Sequence, residues 1–231
     1  MKISIITLFP QMFDGPFEHS IIKRGIENKL ISVEFINIRE FGVGKHKLVD
    51  DTPYGGGNGM VLRVDVLEKA IEKTKIKKLK KNEEKIILLS AHGKTFNQNI
   101  AREFSLLKHL IIVCGHYEGF DERIKNYIDE EISVGDFILT GGEIPAMLIA
   151  DSVARLVKGV IKDNSSLVES FSPLLEYPHY TKPSIYKNEK VPDVLLSGNH
   201  KEIDKWRNKQ SYEITSELRP DLIKNSKKAE H

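Results

Sequence analysis

The stretch Ser133–Glu143, SVGDFILTGGE, combines three glycines with a short apolar run. Glycine leaves backbone N–H and C=O groups open to a ligand, and aliphatic side chains can pack against both faces of a flat ring. Val134, Ile138 and Leu139 could therefore enclose a base whose edge is read by the backbone. This chemistry suits an adenine-containing ligand that is held without phosphate contacts.

Two common nucleotide-binding motifs are absent from the sequence. The residues GKT at Gly93–Thr95 resemble the end of a phosphate-binding loop, but Leu88 replaces the glycine that such a loop needs five positions earlier. No G-x-G-x-x-G pattern opens a helix after the first predicted strand. The sequence therefore argues against a kinase-type phosphate site and against the usual dinucleotide site.

Glycine-bearing segments follow three predicted strands. In an open α/β sheet, ligands bind outside the carboxyl ends of the strands, so these segments would meet in one crevice. Any one of them could be only a tight turn, whereas the three together favour a shared small-molecule pocket. The segments are Ala91–Gly93 after the run Ile86–Ser90, Gly115–Gly119 after Leu110–Cys114, and Gly135–Gly142 after the run near Ile132.

Strand-like and helix-like segments alternate over the first two thirds of the chain. The run Lys2–Pro10 predicts a strand, Ser20–Lys29 a helix and Ser32–Ile38 a second strand, and another helix is predicted over Asn97–Leu107. Four glycines within Gly55–Gly59 indicate a loop. The pattern predicts an α/β fold with a mostly parallel sheet and helices on both faces.

Composition limits the protein class. The chain has 231 residues, 40% of them hydrophobic, which is enough for one core and a smaller second unit. The net charge of +2 neither indicates nor excludes a nucleic-acid partner, and the lysines of Lys69–Lys85 fit a solvated helix face better than an RNA-binding patch.

The single cysteine, Cys114, predicts a buried thiol rather than a nucleophile. No run approaches the ~20 apolar residues of a membrane span and no signal peptide is evident, so we expect a cytoplasmic protein.

Five long motifs, in this order, resemble the bacterial tRNA (guanine-N1)-methyltransferase family of the SPOUT superfamily. The similarity runs from ITLFP near the N-terminus to the region of Trp206. It implies methyl transfer from S-adenosylmethionine to N1 of the guanine immediately 3′ of the anticodon, position 37 of tRNA. It also implies a deep trefoil knot that holds the cofactor, and an obligate homodimer whose active sites draw on both subunits. The motifs are DDTPYGGGNGM (50–60), CGHYEGFDERI (114–124), EEISVGDFILTGGEIPAMLIADSVARL (130–156), LLEYPHYTKP (174–183) and VLLSGNHKEIDKWR (194–207).

The resemblance also divides the chain and places the cofactor. It implies a knotted catalytic domain over 1–161 and a small helical domain over 174–231 that binds the anticodon arm of tRNA. The segment between them, 162–173, is rich in Asn and Ser and has no periodicity, which predicts a flexible linker. Lys201, Lys205, Arg207 and Lys209 of this last domain could contact phosphates. The cofactor-binding positions that it implies are Leu89, Ser90, Gly115, Tyr117, Val134, Gly135, Asp136, Phe137, Ile138, Leu139, Gly141 and Gly142.

The implied chemistry needs a base and a cation. Guanine N1 carries a proton that must be removed, and negative charge develops on O6 during the attack on a sulfonium methyl. The resemblance aligns the family's usual aspartate with Glu169, which is longer by one methylene; a solvated loop acid is the alternative. It aligns a functional arginine with Arg155, whose alternative role is a helical ion pair with Asp151.

Glu118 aligns with a functional glutamate near the methyl donor, and the alternative is a structural hydrogen bond to the loop backbone. The resemblance also implies a use of Mg²⁺, for which the sequence assigns no ligands. His116 and Phe137 differ from the residues associated with the family at these places.

Two rival classes stay open at this point. One is a SPOUT-type methyltransferase that acts on another RNA position, against which the long matches LLEYPHYTKP and LLSGNH argue. The other is a non-catalytic RNA-binding protein on the same fold, against which the intact glycine segments argue.

Overall fold

The computed structural model describes residues 1–162 and 169–228. The chain divides into two compact units, residues 1–162 and 163–231. The predicted linker 162–173 spans this division, and its residues 163–168 lie outside the described part of the chain. Its flexibility therefore stays a prediction.

A sheet of five parallel strands forms the centre of the first unit. The strands are β1 (Lys2–Thr7), β2 (Ser32–Asn37), β5 (Glu84–Thr95), β6 (His109–Val113) and β7 (Glu130–Ser133). Their order is β2-β1-β6-β5-β7, and every neighbouring pair is parallel. The short strands β3 (Asp50–Asp51) and β4 (Val61–Leu62) form a separate antiparallel pair that brackets the glycine-rich loop.

Helices cover both faces of this sheet. They are α1 (Ser20–Glu27), α2 (Val64–Thr74), α3 (Gln98–Ser105) and α4 (Glu143–Ala154). Because side chains alternate along a strand, the sheet feeds two cores. One packs sheet residues such as Ile112 against α1, α3 and α4, and the other packs residues such as Val113 against α2. The predicted α/β class with a doubly covered parallel sheet is confirmed.

Strand β5 extends beyond its predicted end at Ser90, and this corrects the first of the three predicted loops. Leu89 and Lys94 both lie opposite Ile132 of β7, so the residues between them form a bulge rather than a break in the strand. A Cβ atom on Gly93 would overlap the backbone of β7. Glycine at this position therefore allows β5 and β7 to approach each other closely.

The second unit contains α5 (Asp193–Leu196), α6 (His200–Leu218) and α7 (Pro220–Lys228) among its described residues. The side chain of Asn199 accepts a hydrogen bond from the backbone N–H of Glu202 and so caps α6. A hairpin of β8 (Ile185–Tyr186) and β9 (Glu189–Lys190) was not predicted.

Candidate active site

A cavity of about 360 Å³ opens at the carboxyl ends of β5, β6 and β7. This volume lies within the range of small-molecule sites. The cavity is lined by residues 88–92, 115–122, 124–125, 131–135, 137–142 and 145, all from the first unit. The three segments that the sequence analysis singled out therefore meet in one place.

The structure brings most of the candidate residues to this cavity. Asp136 is exposed and does not line it. The candidates that line it are Leu89, Ser90, Gly115, Tyr117, Glu118, Val134, Gly135, Phe137, Ile138, Leu139, Gly141 and Gly142.

Two of the glycine segments touch backbone to backbone. The N–H of Gly142 donates a hydrogen bond to the carbonyl oxygen of Gly115, at 2.8 Å. A Cβ atom on Gly142 would lie 2.6 Å from the backbone nitrogen of Gly115 and 2.7 Å from Cα of Cys114. Only glycine fits this approach, so residue 142 fixes the distance between the segments that follow β6 and β7.

Apolar side chains at the cavity are left uncovered by the protein. Ile138 is 86% exposed, Phe137 56% and Leu139 38%. Apolar surface next to free backbone groups is what a flat heteroaromatic ligand covers. These side chains are available to pack against such a ligand, and their enclosure of a base stays a prediction.

Acidic residues dominate the charge of the cavity. Lys125 lies 2.6 Å from Glu122 and 3.0 Å from Glu131, and these hydrogen bonds raise the pKa of Lys125. The lining includes four acidic residues, Glu118, Asp121, Glu122 and Glu131, whereas Lys125 and the guanidinium of Arg123, which pairs with Asp121 at 2.6 Å, offset only part of their charge. This excess of negative charge favours a cationic ligand.

Glu118 is positioned by the glycine-rich loop that precedes β4. Its backbone N–H donates to the carbonyl oxygen of Met60 at 3.0 Å. Gly59 has a φ of +83°, and a Cβ atom there would lie 2.8 Å from Oε1 of Glu118. The loop therefore leaves room for an exposed carboxylate on the cavity rim, and both readings of Glu118, structural and functional, fit this geometry.

Comparison with known proteins decides the family. The model of the family described as tRNA (Guanine-1)-methyltransferase TrmD matches residues 1–225. The chain belongs to this family. The tRNA (guanine-N(1)-)-methyltransferase of Carboxydothermus hydrogenoformans is 55% identical over 227 residues, which cover 97% of this chain and 88% of the relative.

Relatives of the same name show similar coverage. The protein of Endomicrobium trichonymphae is 47% identical over 232 residues, covering 97% of this chain and 100% of the relative. That of Listeria monocytogenes is 50% identical over 228 residues, covering 97% and 93%. The resemblance drawn from the five motifs and the predicted class of enzyme, a tRNA (guanine-N1)-methyltransferase, are thus confirmed.

Arg155 is not among the residues that line the cavity. It caps the carboxyl end of α4, where its backbone N–H donates to the carbonyl oxygen of Asp151. The cavity lies at the opposite end of this helix, where Gly142 is the N-cap. At a helical rise of ~1.5 Å per residue, the two ends are about 20 Å apart.

Glu169 belongs to the second unit, where it is half-buried at the start of the described residues. It leads into a hydrogen-bonded turn: Ser170 Oγ accepts from the N–H of Glu176 at 3.0 Å, and the N–H of Phe171 donates to the carbonyl oxygen of Leu174 at 2.7 Å. Its assignment as the base stays a prediction.

The basic residues that the sequence analysis singled out in the second unit lie on α6; they are Lys201, Lys205, Arg207 and Lys209. Lys205 pairs with Glu202 at 2.8 Å and Lys209 with Glu213 at 3.7 Å. Exposed pairs of this kind contribute little stability, so phosphates could displace them at low cost. The guanidinium of Arg207 lies 4.9 Å from the ring centre of Tyr177, which holds it against the preceding motif.

The residues behind the glycine segments were missed by the sequence analysis. Glu143 and Thr7 are buried beneath Gly141 and Gly142 and hydrogen-bond to each other. His116 packs its ring 5.0 Å from that of Phe9. A signal for Glu143 existed in the sequence, because this acid directly follows the glycine pair Gly141-Gly142.

Neither a metal cluster nor a membrane helix is found in the described ranges 1–162 and 169–228. There, no three His, Cys, Asp or Glu side chains are grouped so that they could hold a metal ion. In the same ranges, no helix combines the length and apolar character that crossing a membrane requires.

Cys114 is buried, as predicted, with 1% of its surface exposed. Burial raises the pKa of its thiol well above the ordinary value, and the charge of Glu143 raises it further. A thiol that stays protonated is a poor nucleophile.

Replacement of Cys114 by alanine is expected to leave the rate of methyl transfer within about threefold of wild type, because a buried protonated thiol contributes packing rather than chemistry. Initial rates at saturating substrates would test this. A drop of more than about a hundredfold in a variant with an unchanged circular dichroism spectrum would contradict it.

Proposed function

We propose that this chain transfers the methyl group of S-adenosylmethionine to N1 of guanine 37, immediately 3′ of the anticodon, in tRNA in the cytoplasm. The observation that carries the proposal is the glycine-lined cavity at the ends of β5, β6 and β7 in a chain that belongs to this methyltransferase family. The exposed apolar side chains of that cavity suit the adenine, and its acidic rim suits a cation.

The residues present fit S-adenosylmethionine. Gly115, Gly141 and Gly142 line the cavity without side chains of their own, and a Cβ atom on Gly142 would push apart the backbone segments that form this wall. Ile138 and Leu139 offer the apolar surface for the base. When bound, S-adenosylmethionine supplies a methyl group on a positively charged sulfur. Magnesium fits less well, because the carboxylates of the described residues are not grouped in a way that could hold a metal ion, so no step is derived through it.

We propose that one residue takes up the proton of guanine N1 and that a second residue stabilises the negative charge on O6. Glu169 accepts the proton from guanine N1, since a carboxylate is a competent general base when it lies within hydrogen-bond reach. Arg155 donates hydrogen bonds to guanine O6, where negative charge develops. Glu118 stays at the cavity rim as a third candidate.

The position of Arg155 supports the proposal of a homodimer with shared active sites. An arginine about 20 Å from the cavity of its own protomer can act only at a different cavity, which a second copy of the chain would supply. Helix α4 also leaves Ile144 51% exposed and Leu148 45% exposed, one turn apart on one face. This apolar strip is suited to bury against a second copy.

We also propose that the backbone after β7 threads the deep trefoil knot of the family. The contact of Gly142 with Gly115 and Cys114 supports this, because it holds two loops at backbone distance. Residues 1–162 would then be the catalytic domain, and the basic face of α6 would bind the anticodon arm.

Leu148→Asp is expected to convert the dimer into a monomer and to lower methyl transfer at least about a hundredfold, because a charge cannot be buried unpaired in an apolar interface. Sedimentation would measure the assembly state. Leu106→Asp is the matched control, since Leu106 is 86% exposed and lies outside α4. A dimeric, active Leu148→Asp variant would contradict the proposed interface.

The proposed function is tested by transfer of labelled methyl groups to two tRNA transcripts that differ only in having guanine or adenine at position 37. Transfer to the guanine transcript alone supports the proposal. Equal labelling of both transcripts would favour another RNA position, and labelling of neither by folded protein would favour a non-catalytic role.

A further inference from the structure

A buried carboxylate lies directly behind the cavity wall. Glu143 is 2% exposed and is the first residue of α4. Its Oε1 accepts a hydrogen bond of 2.7 Å from the hydroxyl of Thr7, which is fully buried at the end of β1. The Thr7 hydroxyl in turn accepts from the backbone N–H of Phe9 at 2.9 Å. This chain of hydrogen bonds fixes the carboxylate in one orientation.

The other oxygen of Glu143 faces the glycine segment. A Cβ atom on Gly141 would lie 2.5 Å from Oε2 of Glu143, and Gly141 itself lines the cavity. The absence of a side chain at residue 141 thus lets the carboxylate lie directly against a backbone segment that lines the cavity. The edge of the His116 ring, which also lines the cavity, lies on the same side of Gly141.

Within the part of the chain that the structure describes, Glu143 forms no ion pair. Its neutral partner Thr7 and the partial positive charge at the start of α4 offset part of the cost of burying its charge. A full positive charge in the adjoining cavity would offset more, because Coulomb interactions are only weakly screened where water is excluded. The acidic rim of the cavity acts in the same direction.

We infer that Glu143 determines the preference of the cavity for the positively charged methyl donor over its uncharged product. The inference rests on the proposed function. In that reaction guanine N1 forms the new bond to the methyl carbon while the carbon–sulfur bond breaks, its electron pair stays on sulfur as a neutral thioether, and the N1 proton passes to the base. The field of Glu143 therefore stabilises the donor and has no sulfonium charge to act on after transfer, which favours release of the product.

The experiment measures dissociation constants by calorimetry for three ligands: S-adenosylmethionine, S-adenosylhomocysteine, and an analogue in which a protonated amine replaces the sulfonium. Glu143→Gln keeps the size of the side chain and an oxygen for Thr7 but removes the charge. We expect it to weaken both cationic ligands about tenfold while it changes the affinity for S-adenosylhomocysteine less than about twofold.

Thr7→Val is the matched control, because it removes the hydrogen bond but keeps the carboxylate. It is expected to change the affinities for all three ligands by the same factor, because it shifts the loop but keeps the charge of the carboxylate. If Glu143→Gln also shifts all three equally, or shifts none, the inference is overturned while the proposed function stands. If wild type binds none of the three, the proposed function itself fails.

Discussion

Glu169→Gln is expected to lower kcat for methyl transfer by about 10² to 10⁴, the usual contribution of a general base. Glutamine keeps the size and the hydrogen-bonding oxygen of the side chain, but it cannot take up the proton of guanine N1. The affinity for S-adenosylmethionine should not change, because the cavity is lined by residues of the first unit. Single-turnover rates and calorimetric binding would separate the two effects.

Glu169→Asp is the matched control for this result. Aspartate, which the resemblance aligns with this position, retains the carboxylate on a side chain that is one methylene shorter. The rate should therefore stay within about tenfold of wild type. A Glu169→Gln variant with an undiminished rate would rule out Glu169 as the base and leave the methyltransferase assignment intact.

Gly142→Ala is expected to lower the affinity for S-adenosylmethionine by about 10- to 100-fold, which corresponds to the cost of forcing one extra methyl group into a packed region. The new Cβ atom would lie 2.6 Å from the nitrogen of Gly115 and 2.7 Å from Cα of Cys114, so backbone on both sides must move. The cradle for the ligand is built from that same backbone. Binding would be measured by calorimetry after circular dichroism has shown the variant to be folded.

Gly55→Ala is the control for the general effect of placing alanine at a glycine position. Gly55 has a φ of +89° and nothing within 4 Å of its Cβ position, so alanine there brings backbone strain without a clash. It should bind the ligand as wild type does. Unchanged affinity in Gly142→Ala would show that the contact between the two segments is not what shapes the site.

The centre of the sheet was predictable because β1 and β6 are buried on both faces. Such strands appear in a sequence as continuous apolar runs, and Leu110–Cys114 is one of them. The meeting of three glycine segments followed from a general rule about the carboxyl ends of parallel strands. These are properties of local sequence and of topology, which require no knowledge of particular side-chain contacts.

Features that depend on tertiary contacts were not predictable. The bulge in β5 arises because Leu89 and Lys94 both pair with Ile132, which no local pattern encodes. The hairpin turn uses Lys187 and Asn188 with φ values of 48° and 70° instead of the glycine that usually marks such turns. The distance from Arg155 to its own cavity became visible only when the direction of α4 was known.

The measurement that tests the central claim most directly is primer extension on a guanine-37 transcript after incubation with the protein and S-adenosylmethionine. A methyl group on N1 blocks the base-pairing edge of guanine, so reverse transcription should stop immediately before position 37. We expect this single stop, and we expect no stop there when S-adenosylmethionine is left out. Full-length copying of a transcript that has taken up methyl groups, or a stop at another nucleotide, would contradict it.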